Sequence, residues 1–346
     1  MRSTDQRLSR AGSARQAIVI AALVLAAVYG TSAAAAPRLD APFLHRNTGA
    51  LSATAGLPRV RDARLPGAGV AQTQFLTELA SQFTEKRDGA DSARIDVETT
   101  TTVFTFERGL SERLALYVEV PLVRQDGGFL DGFINDYHDL LSLPDGGRDR
   151  ARDDQVDVFW NEGGTDRLRL GERRSGLGDV RLGLAIGLDA SERSHTTLRA
   201  SVELPTGSPG ALAGNDALDV AVAVHHRDAA LLSGLGLTLQ SHLGLLTRIG
   251  DDAILGDDAE DLVVFGGLGL AWPVSERLTL KAQLDAHDDL ADTPLKPVGG
   301  WSVQGTLGGS LRVGEALAVE FAVAEDLRPG SASDVAFLLS LSASVE

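Results

Sequence analysis

The residues able to do chemistry in this sequence are scattered rather than convergent. Of seven histidines, only His225-His226 are neighbours. Successive side chains of a strand point to opposite faces, so this pair cannot hold one metal without a bulge. A metal site needs ligands that converge. Ser241 and His242 face away from each other for the same reason, which leaves no nucleophile and base on one face. There is no Gly-x-Ser-x-Gly elbow, His-Glu-x-x-His, P-loop or dinucleotide fingerprint. No catalytic, metal-binding or cofactor-binding residue is assigned, and no cofactor is expected. Asp251-Asp252, Asp257-Asp258, Glu260-Asp261 and Asp288-Asp289 crowd two stretches. Carboxylate-rich loops can take up Ca²⁺, but the spacing fits no EF-hand loop, and a solvated acidic surface is the simpler reading.

A second set of charges is more informative because it recurs at every other position. Arg94, Asp96, Glu98, Glu119, Arg181, Arg199, Glu203, Asp219, Arg227, Lys281, Asp285, Arg312 and Glu320 lie on the polar sides of alternating runs. Within a membrane, charges are tolerated where they face an interior. Arg94, Glu98, Arg181, Arg199, Glu203, Lys281, Asp285 and Arg312 are therefore candidates for the lining of a lumen. Their chemistry would be electrostatic selection of a permeant, or else cross-strand pairing that fills a narrow interior.

The elements that must position these charges are strands. From Thr197 to Leu204, Leu198, Ala200, Val202 and Leu204 face one way while Thr197, Arg199, Ser201 and Glu203 face the other. Leu278 to His287 and Trp301 to Arg312 repeat the pattern. Alternation this long marks a strand with one apolar and one polar face. Twelve such runs are predicted, near 70–84, 93–107, 113–123, 179–189, 196–205, 217–227, 235–247, 261–272, 277–288, 299–312, 316–325 and 335–345. Most are long enough for a tilted membrane crossing, which takes about 9–11 residues; globular strands average about five or six.

Connections after every second strand are short. Three of them carry the same tripeptide, Ser111-Glu112-Arg113, Ser191-Glu192-Arg193 and Ser275-Glu276-Arg277. The others are mostly longer and rich in Gly, Asp and Pro. That sorting is the habit of outer-membrane barrels, with short periplasmic turns and longer outer loops. It decides against a soluble acidic β-protein. The predicted fold is all-β, an antiparallel transmembrane β-barrel of about twelve strands with one long outer loop carrying a short amphipathic helix. The strand over 93–107 loses its phase near Phe104 and Phe106, which predicts a bulge or strand end there.

The long loop spans 125–178. From Gly128 to Leu143, Phe129, Leu130, Phe133, Ile134, Tyr137, Leu140 and Leu141 share one helical face. Pro144-Asp145-Gly146-Gly147 ends the helix as a turn. Phe129, Phe133 and Tyr137 are the candidate lid; the alternative is a helix packed on the rim or lying in the outer leaflet.

Arg2, Arg7, Arg10 and Arg15 precede the apolar run Ala17 to Tyr29, and Ala33-Ala34-Ala35 offers small residues at a cleavage site. Residues 1–35 read as a signal peptide, since the apolar run is shorter than the ~20 residues of a spanning helix. Residues 36–68 then form a periplasmic N-terminal segment, and 69–346 the barrel. The net charge of −16 becomes about −19 without the signal, which excludes a nucleic-acid partner. The sequence holds no cysteine, as suits an oxidising compartment. Trp160, Trp272, Trp301, Phe337 and Tyr117 supply only a thin aromatic belt, and the chain ends on Glu346 where barrels usually end on an aromatic.

Several segments together resemble a known family. Phe43-Leu44-His45-Arg46-Asn47-Thr48, Gly56-Leu57-Pro58, the run Phe129 to His138, Leu143 to Asp149 and Gly176 to Leu182 are similar to the Gram-negative outer-membrane family domain of unknown function 3187. The resemblance covers the mature chain and implies location and architecture, with no activity and no site residue. The expected partners are outer-membrane lipid, the barrel-assembly machinery and a small solute. The expected function is a channel or passive transporter. The alternatives are a non-conducting structural or adhesive barrel and, less well supported, a membrane-embedded hydrolase.

Overall fold

The alternating runs fold into strands whose burial is inverted relative to a water-soluble protein. In the computed structural model, which describes residues 34–130 and 154–345, Leu243 and Leu307 stand 65% and 67% exposed, whereas Arg181 and Arg199 are 2% and 3% exposed. Along Leu278–His287 the outward Leu280 and Leu284 are exposed, and the inward Thr279, Lys281, Gln283 and His287 are buried. A continuous apolar exterior needs lipid as its solvent. A soluble sandwich would bury the leucines and expose the arginines.

Twelve antiparallel strands close the wall. They are β2 (Ala71–Asp88), β3 (Asp91–Ser111), β4 (Leu114–Asp126), β8 (Val180–Ala190), β9 (Ser194–Leu204), β10 (Leu218–Asp228), β11 (Thr238–Ile249), β12 (Leu262–Pro273), β13 (Leu278–His287), β14 (Ser302–Arg312), β15 (Leu317–Asp326) and β16 (Val335–Val345). Each pairs with its neighbours in sequence, and β16 returns to β2 over Val335↔Ser81 to Val345↔Ala71. Closure leaves no unpaired edge facing lipid. A two-residue strand, β1 (Ala34–Ala35), pairs with the end of β16.

The connections sort by end as expected. Turns at 112–113, 191–193, 229–237, 274–277 and 313–316 mark one end, and loops at 127–179, 205–217, 250–261, 288–301 and 327–334 the other. The turn between β2 and β3 is the exception at the long-loop end. There the strands run on past the wall and are joined at Gly89-Ala90, with Gly89 at a positive φ of 59°. The long loop contributes β5 (Asp157–Glu162) and β6 (Thr165–Leu170), a hairpin that extends from β3, and β7 (Arg174–Leu177), which pairs with β4. The helix predicted over Gly128–Leu143 lies almost wholly outside the described residues.

Two expectations are corrected. The phase of β3 does not break at Phe104: it pairs without a shift from Asp91 to Arg108 along β2, and its irregularity lies between Gly109 and Ser111. Residues 36–68 are not a separate periplasmic segment. Residues 37–66 enter the barrel at its short-turn end and run up beside β13. They turn at a single 3-10 turn, Ser52–Thr54, near the long-loop end and then return. The two arms touch through the Val60 amide donating to the His45 carbonyl at 3.1 Å. The returning arm leaves where Gly69 donates to the Gly109 carbonyl at 2.9 Å. A Cβ on Gly109 would overlap the Gly67 carbonyl oxygen, so glycine is needed at this exit.

Candidate functional site: a plugged lumen

Residues 37–66 form a plug, because the inward charges of the wall find their partners on it. On the returning arm, Arg61 pairs with Glu107 at 3.3 Å and with Glu119, and Arg59 pairs with Glu78. The wall continues the chain of alternating charge. Arg199 pairs with Glu107 at 2.9 Å, Arg181 with Glu203, and Arg248 with Asp219 at 3.0 Å. Wall side chains also reach the plug backbone: Arg199 donates to the Asp62 carbonyl at 2.7 Å, and Thr197 to that of Ala63.

The entering arm also runs in register with one strand. Lys281 donates to the Ala41 carbonyl at 2.8 Å, the Phe43 amide donates to Gln283 at 2.9 Å, and Asn47 meets His287 at 2.8 Å. Two-residue steps on the plug thus match two-residue steps on β13. Phe43 and Leu44 pack on Leu76, Val103, Ala322 and Leu338, an apolar girdle across the lumen.

Tyr117 joins plug to wall. Its ring lies over Gly183, where a Cβ would overlap it, and carries the Arg61 guanidinium at 4.0 Å from its centroid. A cation over an aromatic face gains about 0.5–2 kcal/mol. Where the arms meet near the short-turn end, Arg64 pairs with Asp40 and Asp62, both at 2.7 Å, and Arg227 reaches Asp40 as well. Burial alone would raise the Asp62 carboxyl, but Arg64 and Arg38 outweigh it and hold the group well below the usual carboxylate range. Asp40 is lowered likewise: burial opposes, and Arg64 and Arg227 prevail.

Beside the entering arm, one strip of wall is left without partners. Ser302, Gln304 and Thr306 of β14 are buried, and each has a side-chain polar atom without a hydrogen bond. Asp285 lies across from Gln304 and brings a fourth such atom, 3.7 Å from His242. At the long-loop end the mouth is covered by an apolar cluster. Ala50 and Leu51 of the plug tip pack with Ile95, Trp160, Leu212, Leu255 and Leu295. At the short-turn end, a cleft open to solvent and lined by both polar and apolar residues lies between the plug and the wall of β2, β3 and β14–β16.

A family model described as "Protein of unknown function (DUF3187)" matches residues 18–344. The chain belongs to this family. No curated protein sequence matches it significantly. In fold, the DUF3187 barrel is similar to the COG4313 outer membrane channel from Pseudomonas putida F1, at 12% identity and a TM-score of 0.54, over 82% of this chain and 97% of that one. It is more loosely similar to the NanC porin (8% identity, TM-score 0.45, 79% and 98% covered). The toluene transporter TbuX of Ralstonia pickettii follows at 10% identity and a TM-score of 0.40, over 81% and 90%. The fold is that of an outer-membrane barrel.

The DUF3187 barrel brings Arg181, Arg199, Glu203 and Lys281 into one lumen, on the plug or beside it. Asp285 faces the same interior, and Arg312 lies half-buried toward the short-turn end of β14. Arg94 and Glu98 belong elsewhere. Their neighbours Ile95 and Val97 pack under the mouth, which turns 94 and 98 to the opposite face, beyond the lipid-sized part of a strand of 21 residues. Glu98 accepts the amides of Phe129 (3.0 Å) and Leu130 and so anchors the start of the long loop. Phe129 is 71% exposed and lines no lumen, while Phe133 and Tyr137 lie outside the described residues.

Sequence reasoning missed the plug and the cross-strand pair His225/His242, whose rings stack at 5.6 Å. Strand register, which brings those two together, is not printed in either strand alone. The plug did leave a signal: Arg38, Arg46, Arg59, Arg61 and Arg64 fall within one short segment. Glu78, Glu107 and Glu119 are inward carboxylates that needed such partners.

Proposed function

We propose that this protein is an outer-membrane channel or passive transporter for a small solute, closed by its N-terminal plug. Conduction requires the plug to shift, because residues 37–66 and the apolar cluster at the mouth occupy the lumen. One observation carries the reading. Ser302, Gln304 and Thr306 hold buried polar atoms without partners beside the plug. A polar strip left unpaired is a surface suited to meeting water and solute.

The channel named for the structurally similar COG4313 protein agrees with this reading. Arg181, Arg199, Glu203, Lys281, Asp285 and Arg312 are its lining, with Arg94 and Glu98 set aside. Residues 1–35 act as a signal peptide cleaved after Ala35, a cut that would also remove β1, and the barrel-assembly machinery inserts the mature chain. No catalytic step is assigned.

A second reading is favoured by the mouth cluster of Leu51, Trp160, Leu255 and Leu295, whose apolar packing resembles a permanent core. Under it the barrel is non-conducting and structural. Planar-bilayer recordings separate the two. The channel reading expects rare openings from the natural protein and frequent ones from Arg59→Ala/Arg61→Ala. Silence from both, with the variant folded by heat-modifiable gel migration, overturns it.

A further inference from the structure

The cleft at the short-turn end has the makings of a binding site. Its wall mixes apolar residues such as Pro42, Leu44 and Val60 with Gln72, Gln74, Thr105, Ser310, Ser340 and Ser342, whose amides and hydroxyls both donate and accept; of these, Gln74 already donates to Ser340 at 2.8 Å. The charges that border it are already paired. Glu320 takes Lys281 and the Ser310 hydroxyl, the latter at 2.9 Å. Glu107 takes Arg199 and Arg61. Arg38 lies 3.7 Å from Asp62 and donates to the carbonyls of Arg64 and Leu65, both at 2.7 Å. Among the described residues an ionised ligand would find no free counter-charge there and would lose hydration without replacement.

One group in the wall is unspent. Thr105 is 3% exposed, lines the cleft, and has a hydroxyl with no hydrogen-bond partner. Its inward neighbours on β3 do have partners: Val103 packs in the apolar girdle and Glu107 holds two arginines. The girdle at Phe43 and Leu44 closes the top of the cleft, so a molecule entering from the short-turn end stops there.

We infer that this cleft is a binding subsite for an uncharged, polyhydroxylated solute, with Thr105 as a specificity-determining contact. The inference rests on the channel reading for the solute's passage, but the subsite exists in the plugged protein and is testable there. A hydroxylated ring offers donors and acceptors on every side, as the Ser, Thr and Gln wall does, and brings no charge to neutralise.

The test is saturation-transfer NMR and calorimetric titration on the full mature chain in detergent. The probes are trehalose (neutral), glucuronate (anionic) and glucosamine (cationic). Trehalose is expected to bind at least about tenfold more tightly than either charged probe, in line with the cost of burying an unpaired charge. Thr105→Val, which keeps the shape and removes the hydroxyl, should weaken trehalose about fivefold, as losing one neutral hydrogen bond does. Thr105→Ser should restore binding, and Ser342→Ala gives an independent loss if Thr105→Val fails to fold. Equal or tighter binding of a charged probe, no trehalose binding, or loss in neither folded variant overturns the inference. Trehalose binding by a barrel that never conducts removes the channel reading and leaves the subsite. Conduction without trehalose binding does the reverse.

Discussion

The guanidinium of Arg61 lies 4.0 Å from the centroid of the Tyr117 ring while pairing with Glu107 and Glu119. One plug residue thereby engages an aromatic face and two wall carboxylates, and Tyr117 fits beneath it because Gly183 has no side chain. Arg61→Ala should cost the plug roughly 3 kcal/mol, the scale for breaking a buried pair and leaving carboxylates uncompensated. That shifts plug occupancy by about a hundredfold. Limited proteolysis should cut residues 37–66 in the variant and spare them in the natural protein.

Gly183 gives a separate handle on the same contact. Gly183→Val would push the Tyr117 ring out of its seat and away from Arg61. The expected result is a lower unfolding temperature in detergent and a more protease-sensitive plug, with the barrel still heat-modifiable. Shrinking the ring in Gly183→Val/Tyr117→Leu should recover part of the barrel's stability but not the plug's protection.

The pH response follows from the plug's carboxylates. Asp40 and Asp62 ionise below their ordinary value of 3.8 because arginines hold them charged. A carboxyl lowered by folding stabilises at every pH above its unfolded value and stops doing so only as pH falls through the folded one. The clamp of Arg64, Arg38 and Arg227 on these groups should therefore hold unchanged from neutral pH down to about pH 4 and loosen only below it. Conductance measured against pH should stay flat over that range. Asp40→Asn/Asp62→Asn should raise conductance already at neutral pH.

Glu98 should behave as a loop anchor. Glu98→Ala frees the amides of Phe129 and Leu130, so proteolysis within 127–156 should accelerate severalfold, on the scale of one or two charge-assisted hydrogen bonds. Conductance and its ion selectivity should not change, because residue 98 faces away from the lumen. A selectivity change would return Glu98 to the lining.

The wall was legible in the sequence because its physics is periodic. Leu278 to His287 alternates without a fault, and lipid outside with polar groups inside reproduces that alternation strand by strand. Arg94 and Glu98 misled because the rule that charges face inward holds only within the membrane. The outer half of β3 runs beyond it, where a loop can satisfy charges on the outer face. The plug was illegible for the opposite reason. Pro37, Pro42, Pro58 and Pro66 interrupt any period, and the segment takes its shape from the wall around it. His225 and His242, and Tyr117 and Gly183, meet through strand register, which depends on pairs of strands.

The central claim is that residues 37–66 close the lumen and must move for it to conduct. The chain has no cysteine, and the Thr48 and Ser333 hydroxyl oxygens lie 3.0 Å apart, so Thr48→Cys/Ser333→Cys can tie the plug to the loop at 327–334. Placed in the Arg59→Ala/Arg61→Ala background, this pair should be silent in planar bilayers when oxidised and should conduct after reduction, reversibly. Equal conductance in both redox states, with the disulfide verified by mass, would contradict the claim.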